Sequence, residues 1–214
     1  MKLEYYCPRT TTKRHKQWSR ILRRLKRMLD EYNTPPGDAA YWYGERALTG
    51  LLAAAAWKLN GWSLEEFTSL RWKGQKEKTG KGDAWVGLGG IAFTIEAKVR
   101  WPQDTSLDSW QNNVDKGIAE ASQQLKDLAP KYKTGTIKTA VCYVVPQILT
   151  SKFSKKKREL FTTFKKLPAA VCNAQTFAAS YWYSRNPPKF KNPRNGKLYV
   201  YPGLVVVARF RKRI

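Results

Sequence analysis

Cysteine and histidine are nearly missing from this chain, with three cysteines (Cys7, Cys142, Cys172) and one histidine (His15) in 214 residues. The cysteines are odd in number, widely spaced and form no Cys-x-x-Cys pair, which argues against a disulfide framework or a structural zinc site. His15 stands in a basic arm without a serine or cysteine context, so it reads as a solvated residue rather than a general base. Long apolar runs are missing too. The opening MKLEYYCPRT has no apolar signal core, and the most apolar stretch, Leu48 to Leu59, is too short and alanine-rich to span a bilayer. The expectation is a cytoplasmic protein with no membrane partner. Gly87-Leu88-Gly89-Gly90 lacks the following helix and Lys-Ser/Thr of a phosphate loop, which leaves a hairpin turn.

Acidic residues are scarce as well: sixteen Asp and Glu stand against forty Lys and Arg, a formal charge of +24. That excess is beyond what solubility requires and repels itself in any compact state, so an anionic partner is implied. Nine Trp and eleven Tyr interleaved with the cations favour nucleic acid. Charge alone would also suit a ribosomal or membrane-surface protein. The 42% hydrophobic content is ample for one core with decorations.

Residues 16–32 read as a basic amphipathic helix, with Trp18, Ile21, Leu22, Leu25, Met28 and Leu29 on one stripe. Asn33-Thr34-Pro35-Pro36-Gly37 breaks the chain, and Asp38 can cap a second helix running to Asn60. Three strands follow at 65–73, 82–88 and 91–101, then a helix over 109–128 and a buried strand over 137–145. The fold class expected is α/β (α+β), an α-β-β-β-α-β order with a mixed central sheet flanked by helices. Three segments are expected: a basic arm and helix over 1–36, a core over 37–146, and a basic, aromatic-rich extension of the same domain over 147–214. The extension holds a lysine cluster and a strand-like run, Leu204 to Phe210.

Two features are anomalous for a plain core. Glu45 falls on the shoulder of the second helix's apolar stripe (Leu48, Leu52, Ala55, Leu59), where a carboxylate needs a partner. A salt bridge or a place at the helix start would also explain it. Alternation along 91–101 puts Glu96 and Lys98 on one strand face, about 6–7 Å apart, and a hairpin through Gly89-Gly90 brings Asp83 near Glu96. Taken alone, Glu-x-Lys would be a solvated ion pair. Together, three carboxylates and a lysine from consecutive elements meet the needs of metal-assisted phosphodiester hydrolysis: hard oxygens for Mg²⁺ or Mn²⁺, and an amine for the attacking water.

Gly44-Glu45, Gly82-Asp83 and Glu96-Ala97-Lys98, in this element order, resemble the PD-(D/E)XK nuclease superfamily, the restriction-endonuclease-like fold that includes archaeal Holliday-junction resolvases. The resemblance covers Gly37 to Val145, about half the chain. It implies that Asp83 and Glu96 ligate the metal with the Ala97 carbonyl, that Glu45 supports the metal shell, and that Lys98 acts on water. Gly82 departs from the nominal proline. Many members carry a polar residue on the following helix, which brings in Gln124 as a further catalytic candidate.

For DNA contact the candidates are Arg20, Arg23, Arg24 and Arg27 on the first helix, Lys155, Lys156 and Lys157 in the lysine cluster, and Arg185 beside Tyr181-Trp182-Tyr183. A homodimer is compatible with cutting two strands. The alternatives are a non-catalytic basic nucleic-acid-binding protein and a membrane-active protein built on the first helix.

Overall fold

Helix α1 (Lys13–Tyr32) follows from its spacing: Trp18, Ile21, Leu22, Leu25 and Leu29 recur at three- and four-residue steps, and all five are fully buried. In the computed structural model, residues 2–6, 12–32, 38–73, 76–128, 135–173, 175–182, 187–192 and 195–211 are described. Strand β1 (Lys2–Tyr6) precedes α1. A 3₁₀ turn (Ala40–Tyr43) and α2 (Glu45–Trp57) follow, then β2 (Trp62–Lys73), β3 (Lys76–Leu88), β4 (Ile91–Arg100), α3 (Leu107–Asp127) and β5 (Thr136–Val144). The remainder is β6 (Ile148–Leu149), α4 (Thr150–Val171), β7 (Thr176–Trp182), β8 (Lys189–Lys191), β9 (Leu198–Val200) and β10 (Gly203–Phe210).

The fold is α+β. Seven strands form one mixed sheet in the order β1-β7-β10-β5-β4-β3-β2. Only β4 and β5 are parallel, and α3 supplies the crossover that such a pair requires. A second sheet, β6-β9-β8, is small. Alternation along the strands divides the apolar residues between two cores. Phe93, Ile95 and Ala97 of β4 pack with α1 and α2, while Ala140, Cys142 and Val144 of β5 pack with α3 and α4. The result is a sheet between two helical layers. On the second side α3 comes close at Gly117, where an added Cβ would lie 2.6 Å from the Cys142 Sγ.

Two expectations need correction, and one segment gains an element that the sequence left open. The second helix is not continuous from Asp38: Gly44, at φ +92°, breaks it into the 3₁₀ turn and α2, in a region open to glycine alone. The lysine cluster is the exposed part of a 22-residue helix, α4, whose Leu160, Phe164 and Leu167 are buried. His15 is not solvated: it is 1% exposed, its Nδ1 lies 2.8 Å from the Thr12 hydroxyl, and its ring meets Phe210 edge-on. Beyond Pro146 the chain threads β7 and β10 into the main sheet beside β5.

Burial pushes the Cys142 thiol up to about 12, which keeps it protonated and poor as a nucleophile. Raised above its unfolded value, this group favours folding below the ordinary thiol range and loses that contribution as pH climbs towards 12. At pH 8 iodoacetamide should leave Cys142 unmodified in the folded protein while it labels the partly exposed Cys172. Mass mapping that finds Cys142 alkylated without denaturant would contradict this packing of α3 on β5.

Candidate active site

The β3–β4 ladder runs from Leu88–Ile91 to Ala84–Ile95 and stops there, whereas β2 stays paired with β3, and β4 with β5 as far as Arg100–Val144. The sheet therefore opens between β3 and β4, and the Ala97 and Val99 N–H groups face the opening without a strand partner. Buried backbone donors left unmet are costly. Two carboxylates take the place of the missing strand. Ala97 N–H donates to Asp83 Oδ2 at 2.7 Å, and Val99 N–H donates to Glu45 Oε2 at 3.1 Å. The other oxygen of Glu45 accepts from Lys98 Nζ at 3.2 Å. Because a strand residue sends its N–H and C=O to the same side, the Ala97 carbonyl faces this opening too.

Local sequence explains the placement. Gly44 turns the backbone so that Glu45 becomes the first residue of α2, where the helix dipole favours an acid. Gly82 leaves room for the Phe67 ring, which would lie 2.4 Å from an added Cβ. Lys98 shares a face of β4 with Glu96 and Arg100, above Ala140, Cys142 and Val144 on the α3 side. Glu45 thus reaches round the open edge from the α2 layer to meet a lysine of the other layer. The paired side chains of Lys98 and Glu45 are 17% and 33% exposed. Beneath them Tyr143 is fully buried, and its hydroxyl is held well above its ordinary range by burial, with Asp83 and Glu45 pushing the same way.

Glu45 and Asp83 line a cleft of about 150 Å³ with Arg46, Thr49, Glu65 and Glu66. Glu65 and Glu66 were not singled out by the sequence, because a Glu-Glu pair beginning a strand looks like ordinary solvated edge. Glu66 sits at φ +45°, uncommon for a side-chain-bearing residue, and bridges Arg46 (2.6 Å) and Lys81 (3.1 Å). The Lys81 hydrogen bond leads in holding its carboxyl below the ordinary carboxylate range. Glu65 lies against α2 at Gly50, where a Cβ would be 2.9 Å from its carboxylate oxygen.

Glu96 is not on the cleft wall. It is 1% exposed, under α3, one strand step from the Ala97 that Asp83 holds. Gln124 is half-buried on α3. Arg100 ties to Glu120 of that helix at 2.6 Å, and Gln124 lies one turn, about 6 Å, further back towards the level of Lys98. As a donor set, carboxylates and a strand carbonyl are hard oxygens of the kind Mg²⁺ and Mn²⁺ take. In this conformation no three Asp, Glu, His or Cys side chains among the described residues are grouped closely enough to hold an ion.

Of the candidates for DNA contact, Arg20, Arg23 and Arg27 are exposed on α1, and Lys13 and Lys16 continue their line. Arg24 is off that line, half-buried and 3.9 Å from Glu31. On α4, Lys155 and Lys157 are exposed and Lys156 is half-buried. Tyr181 is core, donating to the Leu22 carbonyl at 2.8 Å, and Arg185 lies outside the described residues. The apolar stripe of α1 is spent in the core, and among the described residues no helix is long and apolar enough to cross a membrane.

Comparison with known proteins finds no match among family models, curated proteins or solved structures.

Proposed function

We propose that this chain is a metal-dependent deoxyribonuclease of PD-(D/E)XK type, an endonuclease with a restriction-endonuclease-like core. The observation that carries the reading is the opening between β3 and β4, where Asp83 meets Ala97, and Glu45 meets Val99 and Lys98. In this reading Asp83, Glu96 and the Ala97 carbonyl hold Mg²⁺ or Mn²⁺, with Glu45 in support. The ion, when bound, polarises the phosphoryl group and lowers the pKa of bound water. Asp83 and Glu45 keep the edge of β4 in place through its N–H groups. Lys98 Nζ, steadied by Glu45, orients the attacking water and exchanges a proton with it. Gln124 is suited to help position water or phosphate from the α3 side. The lysines and arginines of α1 and α4 supply phosphate contacts that carry no sequence information.

The test is incubation of the purified protein with plasmid, linear and four-way-junction DNA, each with Mg²⁺, Mn²⁺ or EDTA. Cleavage in either metal and none in EDTA is expected. Absence of cleavage on all three substrates in both metals would leave a non-catalytic DNA-binding protein, a reading favoured by the ion pair that already neutralises Lys98.

Binding to duplex DNA in EDTA should weaken steeply with salt, since each phosphate neutralised contributes about −0.9 to the log–log slope. With the exposed cations of α1 and α4 as the contacts, the slope should become shallower when those residues are replaced. A slope indifferent to these replacements would remove both helices from the interface.

A further inference from the structure

Helix α1 presents Lys13, Lys16, Arg20, Arg23 and Arg27 in one exposed line, at alternating three- and four-residue steps. That line is about 21 Å long at 1.5 Å per residue. The acids of the same helix are turned to other partners, Asp30 to Lys26 and Glu31 to Arg24. Helix α4 presents a second exposed set, Lys152, Lys155, Lys157, Arg158, Lys165 and Lys166, with Glu159 as its one acid. The apolar sides of the two helices are buried in different cores, α1 on one side of the sheet and α4 on the other. The two ridges therefore look in opposite directions, on the order of 30 Å apart across three layers.

The chemistry of the ridges restricts what they can hold. Both helices have committed their apolar stripes to the interior, so neither has the insertable face that lipid binding requires. Between Lys13 and Arg27 the two ring side chains, His15 and Trp18, are both buried, so the cationic line of α1 offers no stacking platform for unpaired bases. The line on α1 and, on α4, the band of Lys155, Arg158, Lys165 and Lys166, which share about 100° of the helix circumference with Lys152 and Lys157 on its flanks, fit the regular phosphates of a duplex. One short duplex cannot serve both rows, because DNA is stiff over about 150 bp and would have to fold back round the sheet.

We propose that this protein binds two duplex DNA segments at once, one along α1 and one along α4, and so bridges them. The inference rests on DNA being the partner, as in the preceding section, and is independent of cleavage. In the test, a biotinylated duplex of about 20 bp, far shorter than the persistence length, is held on beads and a fluorescent duplex of the same length is added with protein in EDTA. The wild-type protein should retain the fluorescent duplex. A triple variant of α1 (Lys16→Glu, Arg20→Glu, Arg23→Glu) and one of α4 (Lys155→Glu, Arg158→Glu, Lys166→Glu) should each still bind a single duplex, with a shallower salt slope. Each should lose bridging by about tenfold or more, as several phosphate contacts vanish from one ridge. Circular dichroism checks that both variants fold.

Bridging that survives in either variant would overturn the proposal, pointing to one duplex on each protomer of a dimer. So would a wild-type protein that saturates at one duplex, or one that captures anionic vesicles, single strands or duplex RNA in preference to duplex DNA. Cleavage with Mg²⁺ is scored separately on the wild-type protein. Bridging without cleavage would leave this inference standing and the nuclease reading overturned, and cleavage without bridging would do the reverse.

Discussion

Replacing Glu96 or Asp83 by Ala should abolish metal-dependent DNA cleavage, whereas Lys98→Ala should retain metal and DNA but lose about 10²- to 10⁴-fold in turnover. The difference follows from the separate tasks assigned to these groups: the carboxylates hold the cation, and the lysine acts on water without contributing negative charge. Affinity for DNA in EDTA should survive in both carboxylate variants and rise in the Asp83 variant, because Asp83 lines the cleft and removing an acid that faces phosphate relieves repulsion. Asp83 needs a second control. Its Oδ2 accepts the Ala97 N–H, so the Ala variant also strands a backbone donor, at a cost of about 1–3 kcal/mol. Asp83→Asn keeps an oxygen for that bond while removing the charge, and should be as inactive as the Ala variant but more stable. Glu45→Gln likewise preserves an acceptor for Val99 while releasing Lys98 from its ion pair. Cleavage by Glu96→Ala at the parental rate, in preparations free of contaminating nuclease, would sink the assignment and leave the binding-protein reading.

The largest stability loss is expected at Trp18. Its ring is completely buried and meets Phe93 and Phe210 edge-on at 5.2 and 5.7 Å, joining α1 to strands β4 and β10. Trp18→Ala should cost about 3–5 kcal/mol, the transfer energy of the ring plus the cavity it leaves. That is a large part of the total stability of an ordinary domain. Trp18→Phe should cost much less, because it keeps most of the volume and removes an indole N–H that has no hydrogen-bond partner. Urea denaturation of the two variants measures the contrast. A loss below about 1 kcal/mol for the Ala variant would mean that α1 is only loosely docked.

The sequence carried some of this architecture openly and hid the rest for physical reasons. Periodicity exposed α1 because its apolar residues all serve one interface, and it exposed β4 because Phe93, Ile95 and Ala97 alternate with residues of the other face. The break at Gly44 leaves no mark in the periodicity, because a 3₁₀ turn and a helix have nearly the same apolar spacing. Helix α4 was masked by its lysines and by Pro168 within its last turns. In the site, Glu45, Asp83, Glu96 and Lys98 were legible as charges on strands and helix faces that ought to be apolar. Glu65 and Glu66 were not, since their approach to Asp83 depends on how β2 pairs with β3 and on a positive φ that nothing local announces.

The strand order also dictates when the fold can be completed. β10 lies between β5 and β7, yet it is the latest of the seven strands to leave the ribosome, and β1 must wait for β7 before it has a strand to pair with. Until residue 210 has emerged, the β5 edge that β10 will occupy stays open, and the two apolar faces of β10 are absent from both cores. An open edge of that kind is a template for pairing with another chain. Nascent or truncated chains ending before Gly203 should therefore depend on chaperones and precipitate readily, a hazard arising from connectivity rather than from weak packing.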